Sequence, residues 1–173
     1  HALADLVAVV GPGLAGILLP KIQGAVELQC LSIMLDVLEV RAGLAPGSVR
    51  MIPVATETGQ AMLNLGTLGL TALPRLEAVT WGAEDLAAAV GALSNREEDG
   101  RYSPLFDMAA NVCLCAAAAA GVAAVDTISV NFKDPVGLAA DCRVSRRRGF
   151  KGRMAIHPDQ VPVINEAYAP SAE

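Results

Sequence analysis

The sequence predicts an α/β fold in which short parallel strands alternate with helices. Five short apolar runs are each followed by a helix-length segment, and polar residues (Lys21, Glu57, Asp85, Asn131 and His157) stand at or just past their ends. Apolar residues make up 53% of the 173, charged residues 18% and aromatics 3%, which points to one domain packed by aliphatic side chains rather than a disordered chain. Strand and helix in regular alternation imply parallel neighbours, because parallel strands need long crossover connections.

The first strand is read in AGILLPKI (Ala15 to Ile22), an apolar run that stops at Pro-Lys. Ala25 to Arg41 follows as an amphipathic helix, with Val26, Cys30, Ile33, Val37 and Val40 as the apolar stripe at three- and four-residue spacing and Gly43 as its stop. SVRMIPVATET is the second strand and GQAMLNLGTLGL its helix. LEAVTWGAEDL is the third strand, with Leu86 to Leu93 helical after it. Beyond the polar loop SNREEDGRYSP, Leu105 to Ala120 forms a helix. VAAVDTISVNF is the fourth strand and DPVGLAADCRVSRRRG its helix; GRMAIHP is the fifth strand, before a helix over Val161 to Tyr168. Pro53 lies inside the second strand, where it removes one ladder donor, so a bulge is expected there.

An open doubly wound sheet and a (β/α)8 barrel both satisfy this alternation. A doubly wound nucleotide-binding sheet usually carries a Gly-rich phosphate loop after its first strand, and ILLPKIQG has none. Polar residues at strand ends instead suit a barrel, whose active site collects at one rim. A full barrel takes about 250 residues and eight units, so the five units here are read as the last five, with about three N-terminal units missing from residues 1–173.

Several function classes are disfavoured. The net charge is −5 and the only dense cationic cluster is Arg146, Arg147 and Arg148 with Lys151 and Arg153, so a nucleic-acid partner is not expected. No apolar run is long enough to span a bilayer, and no membrane partner is expected. Cys30, Cys113, Cys115 and Cys142 have no zinc-type spacing, and Cys113 and Cys115 in an alanine-rich run read as small hydrophobes. Free thiols imply a reducing, cytoplasmic compartment.

The pieces GILLPKI, ATETG, WGAEDLAAAVGA, AVDTISVNFKDPVGLAADCR and GFKGRMAIHPDQVPVINEAYAPS occur in series across nearly the whole chain. In this it resembles the citrate lyase beta subunit and malyl-CoA lyase group of the HpcH/HpaI aldolase superfamily. The resemblance implies a (β/α)8 barrel, often a homotrimer, that uses Mg2+ to cleave or form a C–C bond in a hydroxy-diacid CoA thioester of the malyl-, citramalyl- or citryl-CoA type. By it, Glu57 and Asp85 match the two metal-holding carboxylates. The arginine that binds substrate carboxylate lies before His1 and the catalytic acid after Glu173, so no catalytic residue is assigned within the chain.

The residues support this by their own chemistry. Adjacent parallel strands would bring Glu57 and Asp85 to one rim, and two carboxylates with water and substrate oxygens complete the octahedron Mg2+ requires. Such a metal would act as a Lewis acid on a 2-oxo or 2-hydroxy acid. The backbone amides of Ala83, Glu84 and Asp85 at a helix start suit a substrate carboxylate, with Glu84 turned away from the metal. Lys21 would pair with Glu57 or meet substrate. Ile156, His157, Pro158 and Gln160 are expected to line CoA, and the arginine cluster to be a solvated helix end or, more sharply, a contact for CoA phosphate. Asp126 is read as structural, near its strand's start on the opposite rim. A class II pyruvate-type aldolase without CoA and a non-catalytic paralogue or assembly subunit are the competing readings.

Overall fold

The computed structural model describes residues 2–170. Its elements run α1 (Ala2–Val9), β1 (Gly16–Leu19), α2 (Ala25–Arg41), β2 (Arg50–Pro53), α3 (Gly59–Asn64), α4 (Thr67–Leu70), β3 (Ala78–Thr80), α5 (Ala83–Val90), α6 (Pro104–Ala120), β4 (Ala123–Asp126), α7 (Pro135–Arg148), β5 (Gly152–Arg153) and α8 (Gln160–Tyr168). The alternation is the expected one, but the strands are shorter than their apolar runs. Each run continues past its strand as loop, and those loops carry the polar rim.

All strand pairs are parallel. β1 pairs with β2 from Gly16 opposite Arg50 to Leu19 opposite Pro53, and β3, β4 and β5 form a three-stranded ladder. Between the two groups β2 meets β3 only at isolated bridges, Met51 to Leu76 and Val54 to Thr80. Pro53 explains the break. Arg50 and Val54 donate to β1, at Ala15 O (2.9 Å) and Leu19 O (2.8 Å), whereas Met51 and Ala55 donate to the other side, at Arg75 O and Thr80 O (each 2.8 Å). Pro53 falls in the second set and has no N–H to give. From Met51 to Ala55 the chain advances four residues while its partner advances five, from Arg75 to Thr80. The expected bulge is therefore present, with its extra residue on the β3 side. Among the described residues the strands follow the order β1 to β5 as an open arrangement, not a closed barrel.

The α2 span agrees with its sequence reading, but the predicted stripe is on the wrong side. Ala25, Leu28, Leu35, Leu38 and Glu39 are buried, while Val26, Ile33, Val37 and Val40 are 64–71% exposed and Cys30 is exposed too. Both faces of α2 are apolar at helical spacing, so periodicity alone does not choose between them. Glu39 sets the phase. Its carboxylate accepts from Gly47 N (2.8 Å), Val49 N (2.7 Å) and both terminal nitrogens of Arg75 (2.7 and 2.6 Å), and these bonds require the leucine face to meet the sheet.

The predicted helix over GQAMLNLGTLGL is two helices broken at Leu65–Gly66. Thr67 stabilises the break: its hydroxyl donates to Asn64 O (2.7 Å) and accepts from Ala25 N (3.1 Å). Beyond it, α4 packs on α6 at Gly69, where a Cβ would lie 2.5 Å from the Ala119 Cβ. The main core runs through Leu28, Met51, Val79, Trp81, Leu86, Phe106 and Cys113. Burial pushes the Cys113 thiol up to about 12, whereas Cys115 is exposed rather than a core residue; all four cysteines are free. Among the described residues, no helix is long and apolar enough to cross a membrane.

Candidate metal centre

The site is assembled by three chain segments that leave β1, β2 and β3 at the same end. After β1 the chain turns through Lys21, whose φ of 56° makes it the one non-glycine residue with a left-handed backbone among the described residues. For an unbranched cation this is an uncommon conformation, of the kind found where neighbouring structure dictates geometry. The turn points the Lys21 amide at Glu57 Oε2 and its ammonium at Asp85 Oδ1, 2.5 Å away.

Glu57 follows β2 and immediately precedes the N-cap of α3, where the Thr58 side chain accepts from Ala61 N (3.0 Å). A rigid strand on one side and a capped helix on the other leave its backbone little freedom. The residue is only 6% exposed. Space for its side chain comes from Gly82, where a Cβ would stand 2.9 Å from Glu57 Cγ and 3.2 Å from Val54 Cγ1. Thr56, fully buried, accepts from Gly82 N (3.0 Å) and fixes the two segments together. Sequence reasoning missed this role of Gly82 and Thr56; the signal was a glycine between a strand and an acidic helix start.

Asp85 is not at a strand end, as the sequence reading had it. β3 stops at Thr80 and Asp85 sits in the first turn of α5, exposed, beside the helix N-terminus that favours negative charge. The helix geometry still aims it at Glu57. Burial, reinforced by the Asp85 carboxylate, pushes Glu57 up from the ordinary range, against the opposing pull of the Lys21 amide. Asp85 is held down, chiefly by the Lys21 ammonium and then by its contact with Glu57. Lys21 itself is raised by its bond to Asp85.

Two adjacent carboxylates, one buried and one open to solvent, fit a small divalent cation that keeps several water or substrate oxygens. No cluster of three or more His, Cys, Asp or Glu side chains converges among the described residues, so Glu57 and Asp85 are the donors that this part of the site offers. The ammonium of Lys21 shows where positive charge is wanted. Glu84 points away, as expected, and accepts from Asn95 Nδ2 (2.7 Å). Gly82 offers no side chain to cap α5, so the amides of Ala83, Glu84 and Asp85 form an uncapped helix start beside the carboxylates.

The other predicted residues form a separate cluster after β4 and β5. The His157 ring stacks on Phe132 (4.6 Å between centroids, 16°), and its Nδ1 accepts from Asp159 N (3.2 Å). Ile156 and Pro158 are exposed. Gln160 differs from expectation: it is 1% exposed, accepting from Ile156 N and donating to Ser129 O (each 2.9 Å), so it braces the loop from inside.

The arginine cluster divides. Arg146, Arg147 and Arg148 close the last turn of α7, as a helix-end reading requires. Arg148 pairs with Asp107 (2.9 Å), while Arg153 is buried in β5 and pairs with Asp126 (3.2 Å). Asp126 is the last residue of β4, not near its start, and also accepts from Trp81 Nε1 (2.6 Å). It is structural, but on the rim side. A cleft of about 1460 Å3 lies beside this pair and away from Glu57 and Asp85, between α6, α7 and the 96–102 loop.

This geometry can be set beside known proteins. A (3S)-malyl-CoA thioesterase of Cereibacter sphaeroides is 33% identical over 171 residues, 97% of this chain and 52% of the relative. A mitochondrial citramalyl-CoA lyase of Rattus norvegicus is 30% identical over 167 residues, 92% and 47%. The chain thus spans about half the length of the curated relatives it matches. The citrate lyase beta subunit of M. tuberculosis, solved with oxaloacetate and magnesium, superposes with a TM-score of 0.78 at 30% identity, over 96% of this chain and 67% of that one. A structure of protein CitE from the same organism, in complex with magnesium, acetoacetate and coenzyme A, gives 0.75 at 30%, over 98% and 57%. The model of the HpcH/HpaI aldolase/citrate lyase family matches residues 1–158, and to that family the chain belongs.

Proposed function

We propose that these residues form the metal-binding side of a Mg2+-dependent (β/α)8-barrel lyase that cleaves or forms a C–C bond in a hydroxy-diacid CoA thioester. One observation carries the reading: three separate strand exits bring Glu57, Asp85 and Lys21 into a single contact cluster. Glu57 and Asp85 would hold the metal, which when bound supplies Lewis-acid polarisation of the 2-oxo acid fragment. Glu57, buried and fixed by Gly82 and Thr56, sets the position of that fragment. The amides of Ala83, Glu84 and Asp85 orient its carboxylate, and the Lys21 ammonium adds charge there. Ile156 and Pro158, exposed, and His157, half-buried, stand on the loop after β5 where CoA would pass, braced by Gln160. Four free thiols suit a reducing, cytoplasmic setting, and trimeric assembly follows from the family resemblance.

Calorimetric titration with Mg2+ tests the metal assignment. Glu57→Gln and Asp85→Asn should each weaken binding by about tenfold or more, since even partners outside the ligand sphere act on that scale. Unchanged affinity in both would sink the assignment. Product analysis on malyl-, citramalyl- and citryl-CoA then tests the reaction. Cleavage of malyl-CoA to glyoxylate and acetyl-CoA supports the lyase. The thioesterase name of the Cereibacter relative favours a second reading, hydrolysis of the same thioester, which would release malate and free CoA. All three thioesters left intact would favour a CoA-independent aldolase or, with Mg2+ still bound and no turnover of 2-oxo acids, an assembly subunit.

A further inference from the structure

Folding alone does not account for the arrangement of Lys21. Its side chain is 60% exposed, and the ammonium is bonded to Asp85 Oδ1 (2.5 Å) on a carboxylate that is itself half open to solvent. An exposed pair of this kind adds little to stability, and the left-handed backbone at φ 56° subtracts from it. The two ends of the residue are held differently. The amide is fixed on Glu57 Oε2 by the turn after β1, whereas the ammonium stands at the end of a flexible four-carbon stem with Asp85 as its hydrogen-bond partner. The backbone is anchored to the carboxylate pair while the charge is free to leave it.

That charge stands where a metal would. Mg2+ takes carboxylate oxygens at about 2.0–2.1 Å, so a metal on the oxygen that holds Lys21 would lie within about 5 Å of the ammonium, where a dication and a monocation repel. The two therefore exclude each other from Asp85 Oδ1. With Glu57 and Asp85 ionised, one ammonium against two carboxylates leaves the metal-free site negative, and an anionic substrate is repelled. A dication reverses the sign and releases the ammonium in the same event. The released group, still tethered at Glu57, is left beside the uncapped start of α5, where the amides of Ala83, Glu84 and Asp85 collect.

Resting on the metal assignment above, we propose that Lys21 is a displaceable counter-ion that sets the order of binding. It neutralises Asp85 while the metal is absent, is expelled by Mg2+, and only then meets the carboxylate of a 2-oxo acid. Metal precedes acid because no cation is free to receive the acid until the metal has bound.

NMR of the chain labelled at lysine Cε reads the switch directly, because Lys21, Lys133 and Lys151 are its only lysines and Lys21→Arg identifies the Lys21 signal. Mg2+ should move that signal in step with calorimetric binding. Pyruvate alone should leave it in place, and pyruvate added to the Mg2+-loaded chain should move it again. By calorimetry, Lys21→Met should bind Mg2+ more tightly yet, once loaded, bind pyruvate about tenfold more weakly, the scale of one charge-assisted hydrogen bond. Lys21→Arg should recover most of that loss, whereas a merely structural lysine would weaken both affinities when removed. Three results would overturn the proposal: a Lys21 signal unmoved at Mg2+ saturation, a signal moved by pyruvate without metal, or unchanged pyruvate affinity in loaded Lys21→Met. Each leaves the Glu57 and Asp85 assignment standing, whereas a wild type that binds no Mg2+ would overturn both.

Discussion

Two carboxylate clusters sit at opposite ends of the same strands, and the fold treats them differently. At the base, before β2 and β3, Glu39 is fully buried and accepts from Gly47, Val49 and a bidentate Arg75, which also pairs with Asp36. Arg75 and two backbone amides hold the Glu39 carboxyl at about 2. At the rim, Glu57 is nearly as buried, but its neighbours are one backbone amide and a second carboxylate, and it is pushed up instead. A closed ion pair of the first kind holds elements together. A carboxylate pair of the second kind leaves negative charge under-compensated at a solvent-facing edge, the condition under which an added cation binds.

The largest expected effect separates the two by function. Glu39→Ala would strand the buried Arg75 guanidinium and cost about 3–5 kcal/mol in urea denaturation, while the folded fraction binds Mg2+ as before. A smaller loss would show the base cluster to be as weakly coupled as the rim.

Acid titration comes next. Because the Glu39 carboxyl is depressed in the folded state, its contribution is complete above the unfolded value of 4.5 and disappears as pH falls toward about 2. Stability should fall by on the order of 3 kcal/mol over that window, and Glu39→Gln should flatten the slope. Glu57 works in the opposite sense: a raised carboxyl contributes below its unfolded value and loses that contribution as pH rises through its folded one.

Gly82→Ala probes the rim through its shape. The added Cβ would press on Glu57 Cγ at 2.9 Å, so a loss of about 1–3 kcal/mol, the usual cost of overpacking, should accompany weakened Mg2+ binding. Unchanged metal affinity would mean that Glu57 can move and still ligate. The smallest change is expected for Lys21→Met. Its ion pair with Asp85 is exposed, so folding should be almost unchanged, while Mg2+ binding tightens because no ammonium competes for Asp85. Weaker binding would make Lys21 part of the metal site rather than its stand-in.

The legibility of the sequence varied from element to element. α2 was read to its ends because Gly43 and the Pro-Lys before it punctuate a long periodic segment, and the Pro53 break was read because a missing N–H has only one consequence in a sheet. Strand lengths were overestimated: apolar character marks burial, not hydrogen bonding, and Trp81, Ala83 and Leu86 stay buried after the β3 ladder has ended at Thr80. Glu57 was visible as a strand-exit carboxylate, and Asp85 as its acidic partner after the next strand, although it stands in the first turn of α5. Arg75 was not, because a lone arginine before a strand carries no sign of the two acids that α2 brings to it.

The sequence by itself determined the alternation of strand and helix, the residues at the strand exits and the glycine and proline positions where regular geometry must fail. These are local properties, written in composition and spacing. Only the tertiary structure decided which face of α2 is buried, that Asp126 stands on the rim side, that Gln160 braces a loop from within, and that Gly82 clears the space for Glu57. Each depends on a partner 25 to 45 residues away: Arg75 for Glu39, Trp81 for Asp126, Ser129 for Gln160 and Glu57 for Gly82. Such pairings exist only once the chain has folded back on itself.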